Sequence, residues 1–369
     1  MKTLRYLFTA YAMLLSLAVF SQTTVTSYEP GVSAEGVVYY LPKTAIDVIV
    51  NMDKVTVIPG TLCKYADRYM RLSNVADAEK TYYELQSASA AYTGVADNDK
   101  CFHIKFSTKS IAPNVLLSSE GTLLAINTDN PYTEEAITAE TCSVEGEAID
   151  ATPYMTEDML AAGSNAKLAE LVAREIYDIR DSKSSLMRGE SDYMPSDGEG
   201  LKLMTDNLQR QEDALMQLFT GVTIREHITR TYRYIPSGSV SKEVIARFSR
   251  KLGLLDVEDL AGAPLYIDVH SLSAQNAAAG IDDGNTGTNV LPETKSPVRK
   301  TKSYEGVMYN IPAKASVKVY NTSKVFIDEK TNLAQFGSLE TLSSKLFTSK
   351  ATTKVILDPV TGALMKIEE

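Results

Sequence analysis

The sequence predicts an α+β fold of two related β-rich units with an antiparallel helical hairpin between them. Three observations carry this expectation. Apolar residues alternate with period two near both ends of the chain. The middle switches to a helical period between Asn165 and Phe219. A short stretch near the start recurs near the end.

The chain opens on two basic residues, Lys2 and Arg5, followed by an uncharged run from Leu7 to Phe20. These 14 residues fall short of the roughly 20 that a spanning helix needs, but they suit the apolar region of a secretory signal. Val19 and Ser21 place cleavage near Ser21–Gln22, so residues 1–21 read as a signal peptide. The first cysteine is Cys63, so none stands at the new N-terminus to carry a lipid. No later apolar run reaches spanning length. The expectation is an exported chain of the periplasm or cell envelope, not a lipoprotein, without a transmembrane helix after signal removal.

Residues 22–150 read as the N-terminal β-rich unit. Its strands are residues 36–50, then 54–58 up to the Pro59-Gly60 turn, then 101–108. Pro42 suggests an edge or a bulge. Leu62, Tyr65, Ala66, Tyr69 and Met70 recur at helical spacing, and residues 114–127 read as a hairpin turning at Ser119-Glu120-Gly121.

Residues 151–221 form the predicted helical hairpin. One apolar stripe runs through Leu168, Leu171, Val172, Ile176, Ile179 and Leu186, with Ser164 as N-cap, a Glu170/Arg174 pair and Gly189 as the stop. The second runs through Leu201, Met204, Leu208, Leu215, Leu218 and Phe219 to Gly221. Residues 222–270 read as strand–helix–strand. The first strand shows Val222, Ile224, Ile228, Tyr232 and Tyr234 on one face, and Thr223, Arg225, His227, Thr229, Thr231 and Arg233 on the other. The helix is expected from Lys242 to Leu252, and the last strand from Leu265 to Val269. Residues 271–303 lack apolar periodicity and read as a linker or mobile loop.

Residues 304–369 form the C-terminal β-rich unit. EGVVYYLPKTAI at 35–46 and EGVMYNIPAKAS at 305–316 share Glu35/Glu305, Gly36/Gly306, Val37/Val307, Tyr39/Tyr309, Pro42/Pro312 and Ala45/Ala315. Each copy continues into a strand and later reaches a hairpin, at 114–127 and at 354–369. A repeated order of elements points to internal duplication.

EGVVYYLPKT, KYADRYMRL and LMRGESDYMPSDGEGLKLMTDNLQRQEDALMQLFTG together resemble a secreted Bacteroidota family catalogued as domain of unknown function 4831. The resemblance spans most of the mature chain and is weakest over 271–303. It implies an envelope-associated protein with a signal peptide, and brings no activity, cofactor or catalytic residue.

Charge argues against nucleic acid as a partner. Losing Lys2 and Arg5 moves the net charge from −10 to −12, and no basic stripe offsets it. Arg299, Lys300 and Lys302 fall in the linker and read as a solvated tether. Three cysteines allow at most one internal bridge, and a chain this long needs none to bury a core. Cys63 reads as a core residue, leaving Cys101–Cys142 as the pair if one forms. Twenty tyrosines suit strands and amphipathic surfaces, while the absence of tryptophan weakens a sugar-stacking platform.

Catalytic supply is thin. The three histidines, His103, His227 and His270, show no paired ligand spacing. Cys101/His103 and Asp268/His270 each share a strand face, but zinc needs three or four ligands. Ser239-Val-Ser-Lys242 has Ser-x-x-Lys spacing without its companion motifs, and Ser241 reads as a helix cap. Asp282–Glu293 imitates a calcium loop, with Gly284 and Thr286 where carboxylates belong. Asn321-Thr-Ser323 is an isolated sequon. Glu134-Glu135 and Asp282-Asp283 read as surface charge. No catalytic, cofactor or metal residue is assigned. The expected function is a non-enzymatic envelope protein, binding or structural, with an envelope protein or glycan as partner. The alternative is an envelope hydrolase whose carboxylate site is assembled from distant segments.

Overall fold

A computed structural model describes residues 24–28, 36–105, 114–129, 132, 142–190, 198–272, 303–304, 306–343, 346–347 and 353–368. The expected signal peptide, the calcium-like stretch, the Arg299–Lys302 cluster, Glu134-Glu135 and nearly all of the 271–303 linker lie outside the described residues.

The first strands are β1 (Thr24–Ser27), β2 (Val37–Ile58), β3 (Lys80–Lys105), β4 (Val115–Leu117), β5 (Leu123–Ile126) and β6 (Cys142–Glu145). The helices are α1 (Ala66–Met70), α2 (Glu157–Leu160), α3 (Asn165–Arg188) and α4 (Gly198–Thr220). Then come β7 (Val222–Tyr234), β8 (Val240–Ser249), β9 (Gly253–Leu255), β10 (Ala263–Ser271), β11 (Ser303–Tyr304) and β12 (Gly306–Tyr320). The last are β13 (Val325–Ser343), β14 (Lys354–Leu357) and β15 (Leu364–Glu368).

The chain is mixed and mostly β, in three antiparallel sheets. Their orders are β11-β1-β3-β2-β7-β6, then β13-β12-β10-β8-β9, then β15-β14-β5-β4. The first and third sheets draw strands from distant parts of the chain, while the second uses only strands between Val240 and Ser343. The expected segments do not map onto separate sheets, because period-two patterning sets which face is buried and leaves the partner strand open.

Alternation decides the main core. Ile46, Val48, Val50 and Met52 of β2 meet Leu265, Ile267 and Val269 of β10 and Val317 and Val319 of β12 between the first two sheets. Each fully buried aliphatic side chain contributes about 1.5–3 kcal/mol. A second core joins Tyr39, Leu41, Phe102 and Ile104 to Leu123, Ile126, Val355 and Leu357 of the third sheet. A third gathers Val172, Ile176 and Ile179 of α3, Leu215 and Phe219 of α4, and Leu62 and Met70.

The helices follow the sequence closely. Ser164 Oγ accepts the Lys167 N–H at 3.3 Å, capping α3. Gly189 ends it in a left-handed conformation, with φ 73°. Across the two long helices Arg180 bonds Glu212, and Lys183 bonds both Glu212 and Gln209.

The structure also corrects several readings. Residues 242–252 are mostly strand, as β8, rather than helix. The register slips between Leu265/Ala246 and Tyr266/Val244, so consecutive Ile245 and Ala246 are both buried. That bulge breaks period two and imitates a helical stripe. Ser241 accordingly sits in a strand and caps nothing. The two strands read over 36–58 are one, and the alternation continues through Asn51-Met52-Asp53. Cys101 and Cys142 do not meet. Cys101 pairs with Tyr40 while Cys142 reaches Met52 through Ile228, so twelve residues of strand separate them, on the order of 40 Å. A disulfide needs Cα atoms within about 7 Å, and Cys101 and Cys63 are free thiols. Cys63 is half-buried rather than a core residue.

The two long hairpins share local geometry. In β2/β3 the register jumps from Tyr40↔Cys101 to Pro42↔Ala96. In β12/β13 it jumps from Ile311↔Ser338 to Ala313↔Leu333. Each jump leaves four partner residues, 97–100 and 334–337, opposite the proline region. The two short hairpins also match. Tyr40 N–H donates to Gly121 O at 3.0 Å, and Asn310 N–H donates to Gly362 O at 3.1 Å.

Candidate functional site on the polar face of the first sheet

The alternation that buries Ile46, Val48, Val50 and Met52 turns Asp47, Asn51 and Asp53 to the opposite face. β7 lies beside β2 in a register that sets Arg233 across from Asp47, Thr229 across from Asn51 and His227 across from Asp53. The polar face read from β7 thus meets acidic and amide partners on β2.

Three rungs result. Arg233 grips Asp47 with both arms, Nε to Oδ1 at 2.7 Å and Nη2 to Oδ2 at 3.1 Å. Thr93 Oγ1 donates to the same carboxylate at 2.8 Å. Asp47 is only 1% exposed, so the bidentate pair compensates a buried charge. In the next rung, Asn51 accepts from Thr229 at 2.8 Å and donates to Ser87 at 3.1 Å. In the third, Asp53 Oδ1 lies 2.6 Å from His227 Nδ1, and Oδ2 accepts from Gln86 Nε2 at 2.8 Å. Arg225 Nη1 stands 3.7 Å from Asp53 and 3.5 Å from Glu84. His227 Nε2 faces Glu145 of β6 at 3.3 Å.

Each ring nitrogen of His227 faces a carboxylate oxygen, so the protonated ring can donate to both. Asp53 first, and then Glu145, hold its pKa above the ordinary histidine value. Asp47 similarly raises Arg233. Among the described residues no group of three or more His, Cys, Asp or Glu could hold a metal.

His270 has a different neighbour. Its Nε2 lies 3.3 Å from Ser241 Oγ, a contact sequence reasoning missed because Ser241 was read as a helix cap. Asp268, two residues away, accepts instead from the Lys242 N–H at 2.7 Å and from Tyr320 Oη at 3.2 Å. Ser239 Oγ accepts from the Ser271 N–H at 3.2 Å. The Ser-x-x-Lys residues thus lie at the start of a strand. His103 is buried on β3, and its Nε2 lacks a hydrogen-bond partner within the described residues. Cys101 bonds Tyr40, and burial pushes its thiol pKa up. The sequon Asn321 closes a turn through Ser323 N–H and Lys324 N–H.

A second polar cluster lies buried where the long hairpins meet. Asn310 Nδ2 donates to Pro42 O and Thr361 O, both at 2.8 Å. Thr44 exchanges backbone bonds with the Gln335 side chain, and its hydroxyl accepts the Ala334 N–H and donates to Val360 O, both at 3.2 Å. These bonds satisfy backbone groups that the interrupted ladders leave open.

No helix among the described residues is long and apolar enough to cross a membrane. No curated protein and no solved structure matches the chain. Residues 35–365 match the protein family described as Domain of unknown function (DUF4831), and the chain belongs to that family.

Proposed function

We propose that this chain is an exported cell-envelope protein whose work is binding or structural rather than catalytic. One observation carries the reading. The most chemistry-bearing cluster, Asp53–His227–Glu145 with Arg225 and Gln86, is spent on internal ion pairs and hydrogen bonds that join β6, β7, β2 and β3. These contacts brace the sheet and engage both ring nitrogens of His227.

Further support comes from the sequence. Lys2, Arg5 and the Leu7–Phe20 run suit a cleaved signal peptide, with the mature chain beginning near Gln22. The resemblance to a secreted Bacteroidota family agrees with export to the periplasm or envelope. Net negative charge disfavours nucleic acid, leaving an envelope protein or glycan as partner.

An internal duplication is part of the same proposal. The six coincident residues, the paired four-residue interruptions beside Pro42 and Pro312, and the matching Gly121 and Gly362 acceptors support it. The antiparallel helical hairpin is supported by the contacts of Arg180 and Lys183 with Glu212 and Gln209, whose order reverses along α4.

One contact favours the rival reading of a hydrolase, the approach of Ser241 Oγ to His270 Nε2. A serine nucleophile needs its histidine oriented by a third group, and the nearby Asp268 is engaged elsewhere. The test is a serine-hydrolase activity probe together with an ester and glycoside substrate panel, run on the purified chain and on Ser241→Ala. No Ser241-dependent labelling or turnover is expected. Labelling abolished in Ser241→Ala overturns the non-catalytic reading.

A further inference from the structure

The third sheet contains two short hairpins of the same design. In β4/β5 the pairs are Val115↔Ile126, Leu116↔Ala125 and Leu117↔Leu123, with a slip after Leu116. In β14/β15 they are Val355↔Ile367, Ile356↔Lys366 and Leu357↔Leu364, with a slip after Ile356. Residue for residue, Val115 corresponds to Val355, Leu116 to Ile356, Ala125 to Lys366 and Ile126 to Ile367. The turns are similar, the second being one residue longer. Gly121 N–H donates to Ser118 O, as Gly362 N–H does to Asp358 O.

These two hairpins do not meet like edge to like edge. β5, the second strand of one hairpin, pairs with β14, the first strand of the other, through Ile126↔Val355 and Ala125↔Ile356. That is a head-to-tail join between two equivalent units. Such a join leaves one unused edge of each kind. β15 presents the edge that β5 uses, and β4 presents the edge that β14 uses. They are the two outer strands of this sheet among the described residues.

Exposure marks the unused edge. Leu124 and Ile126 of β5 are 7% and 0% exposed, whereas the corresponding Met365 and Ile367 of β15 are 64% and 41% exposed. An edge strand carrying exposed apolar side chains is a template for another strand.

We propose that β15 of one copy pairs antiparallel with β4 of a second copy of this chain, repeating the β5·β14 join between molecules. The register follows by substitution of equivalents. Ile367 lies across from Val115 of the partner subunit, and Lys366 across from Leu116 of the partner subunit. The contact is heterologous, so it builds chains or closed rings rather than a two-fold dimer. It rests on strand register and edge exposure, and stands independently of whether the protein is catalytic.

The test uses disulfide trapping and sedimentation. Val115 packs against the core beside this sheet, so Leu116 and Lys366 fall on the opposite face and tolerate substitution. In a background with Cys63, Cys101 and Cys142 changed to Ser, Leu116→Cys and Lys366→Cys single variants are mixed and oxidised. A crosslinked dimer is expected from the mixture, and a ladder of higher species from the double variant. Pairing Leu116→Cys with Glu368→Cys, which is off register, should trap far less. Should the cysteine-free background fail to fold, sedimentation of the unmodified protein decides. Self-association that rises with concentration is expected, with the dissociation constant about tenfold or more higher in Ile367→Lys, where the new charge meets an apolar edge. Three results overturn the proposal. One is a monomer at all concentrations. Another is a Lys366→Cys homodimer in place of the mixed species, which signals like-edge pairing. The third is an intramolecular bond in the double variant, which places β15 against β4 of its own chain.

Discussion

Tyr39 of β2 closes both backbone groups of Met308 in β12. Its hydroxyl oxygen accepts the Met308 N–H at 3.0 Å, and its proton is directed at the Met308 carbonyl at 3.4 Å. Tyr39 is wholly buried, and burial holds its pKa far above that of a free tyrosine. One side chain thus supplies what a neighbouring strand would otherwise give. Tyr39→Phe keeps the ring against Phe102 but strands both backbone groups. The expected cost is about 1–3 kcal/mol per orphaned group, read as a lowered denaturation midpoint. The same change at exposed Tyr28 serves as control and should cost almost nothing.

Asn310 does comparable work two residues further along β12. It is fully buried and donates to Pro42 O and Thr361 O, tying the long hairpins to the turn before Gly362. Asn310→Ala should destabilise by about 2–4 kcal/mol, from two orphaned carbonyls and a small cavity. Asn310→Asp should be worse, because a carboxylate accepts where donors are required. Equal stability of the two variants would contradict the assignment.

The His227 cluster sets a pH dependence. Its pKa is raised in the folded state by Asp53 and Glu145. The folded protein therefore holds that proton more tightly than the unfolded chain does. This contribution is complete below the unfolded histidine value, about 6.5, and is lost as pH rises through the raised folded value. Denaturation midpoints should fall across that window in the unmodified protein. In His227→Gln the corresponding slope should flatten. An NMR titration should show Asp53→Asn bringing the histidine pKa down. A midpoint that rises through the window on account of His227 would refute the pairing.

The helical layer depends on a buried stripe. Val172 and Ile176 are fully buried among Leu215, Phe219 and Leu62. Val172→Asp places an unpaired carboxylate there and should cost about 3–5 kcal/mol, measured by thermal or chemical denaturation. Glu170→Gln, which touches only the exposed Arg174 and Lys167 pairs, should change stability by less than about 1 kcal/mol.

Local signals were legible in the sequence, and distant pairings were not. Ser164, Gly189 and the apolar stripe marked α3 because helix bonds and caps are local. The Thr/Arg/His face of β7 was also legible, since alternation needs no partner. What that face meets was not. His227 finds Asp53 across 174 residues, and strand register over such a gap leaves no local mark. β8 was misread because its bulge buries two consecutive residues. β13, and β3 before Cys101, went unread for another reason. Long stretches such as Ser87-Ala-Ser-Ala-Ala91 are small, and their strand form comes from pairing along β2 rather than from side-chain pattern. The contact of Ser241 with His270 was hidden by the same error that made Ser241 a cap.

In-cell crosslinking with mass spectrometry tests the central proposal most directly, using the tagged chain expressed in its own host. Expected are peptides of a chain beginning near Gln22, crosslinked to exported or envelope proteins or to further copies of itself. Peptides retaining Met1 and crosslinked only to cytoplasmic proteins would contradict it.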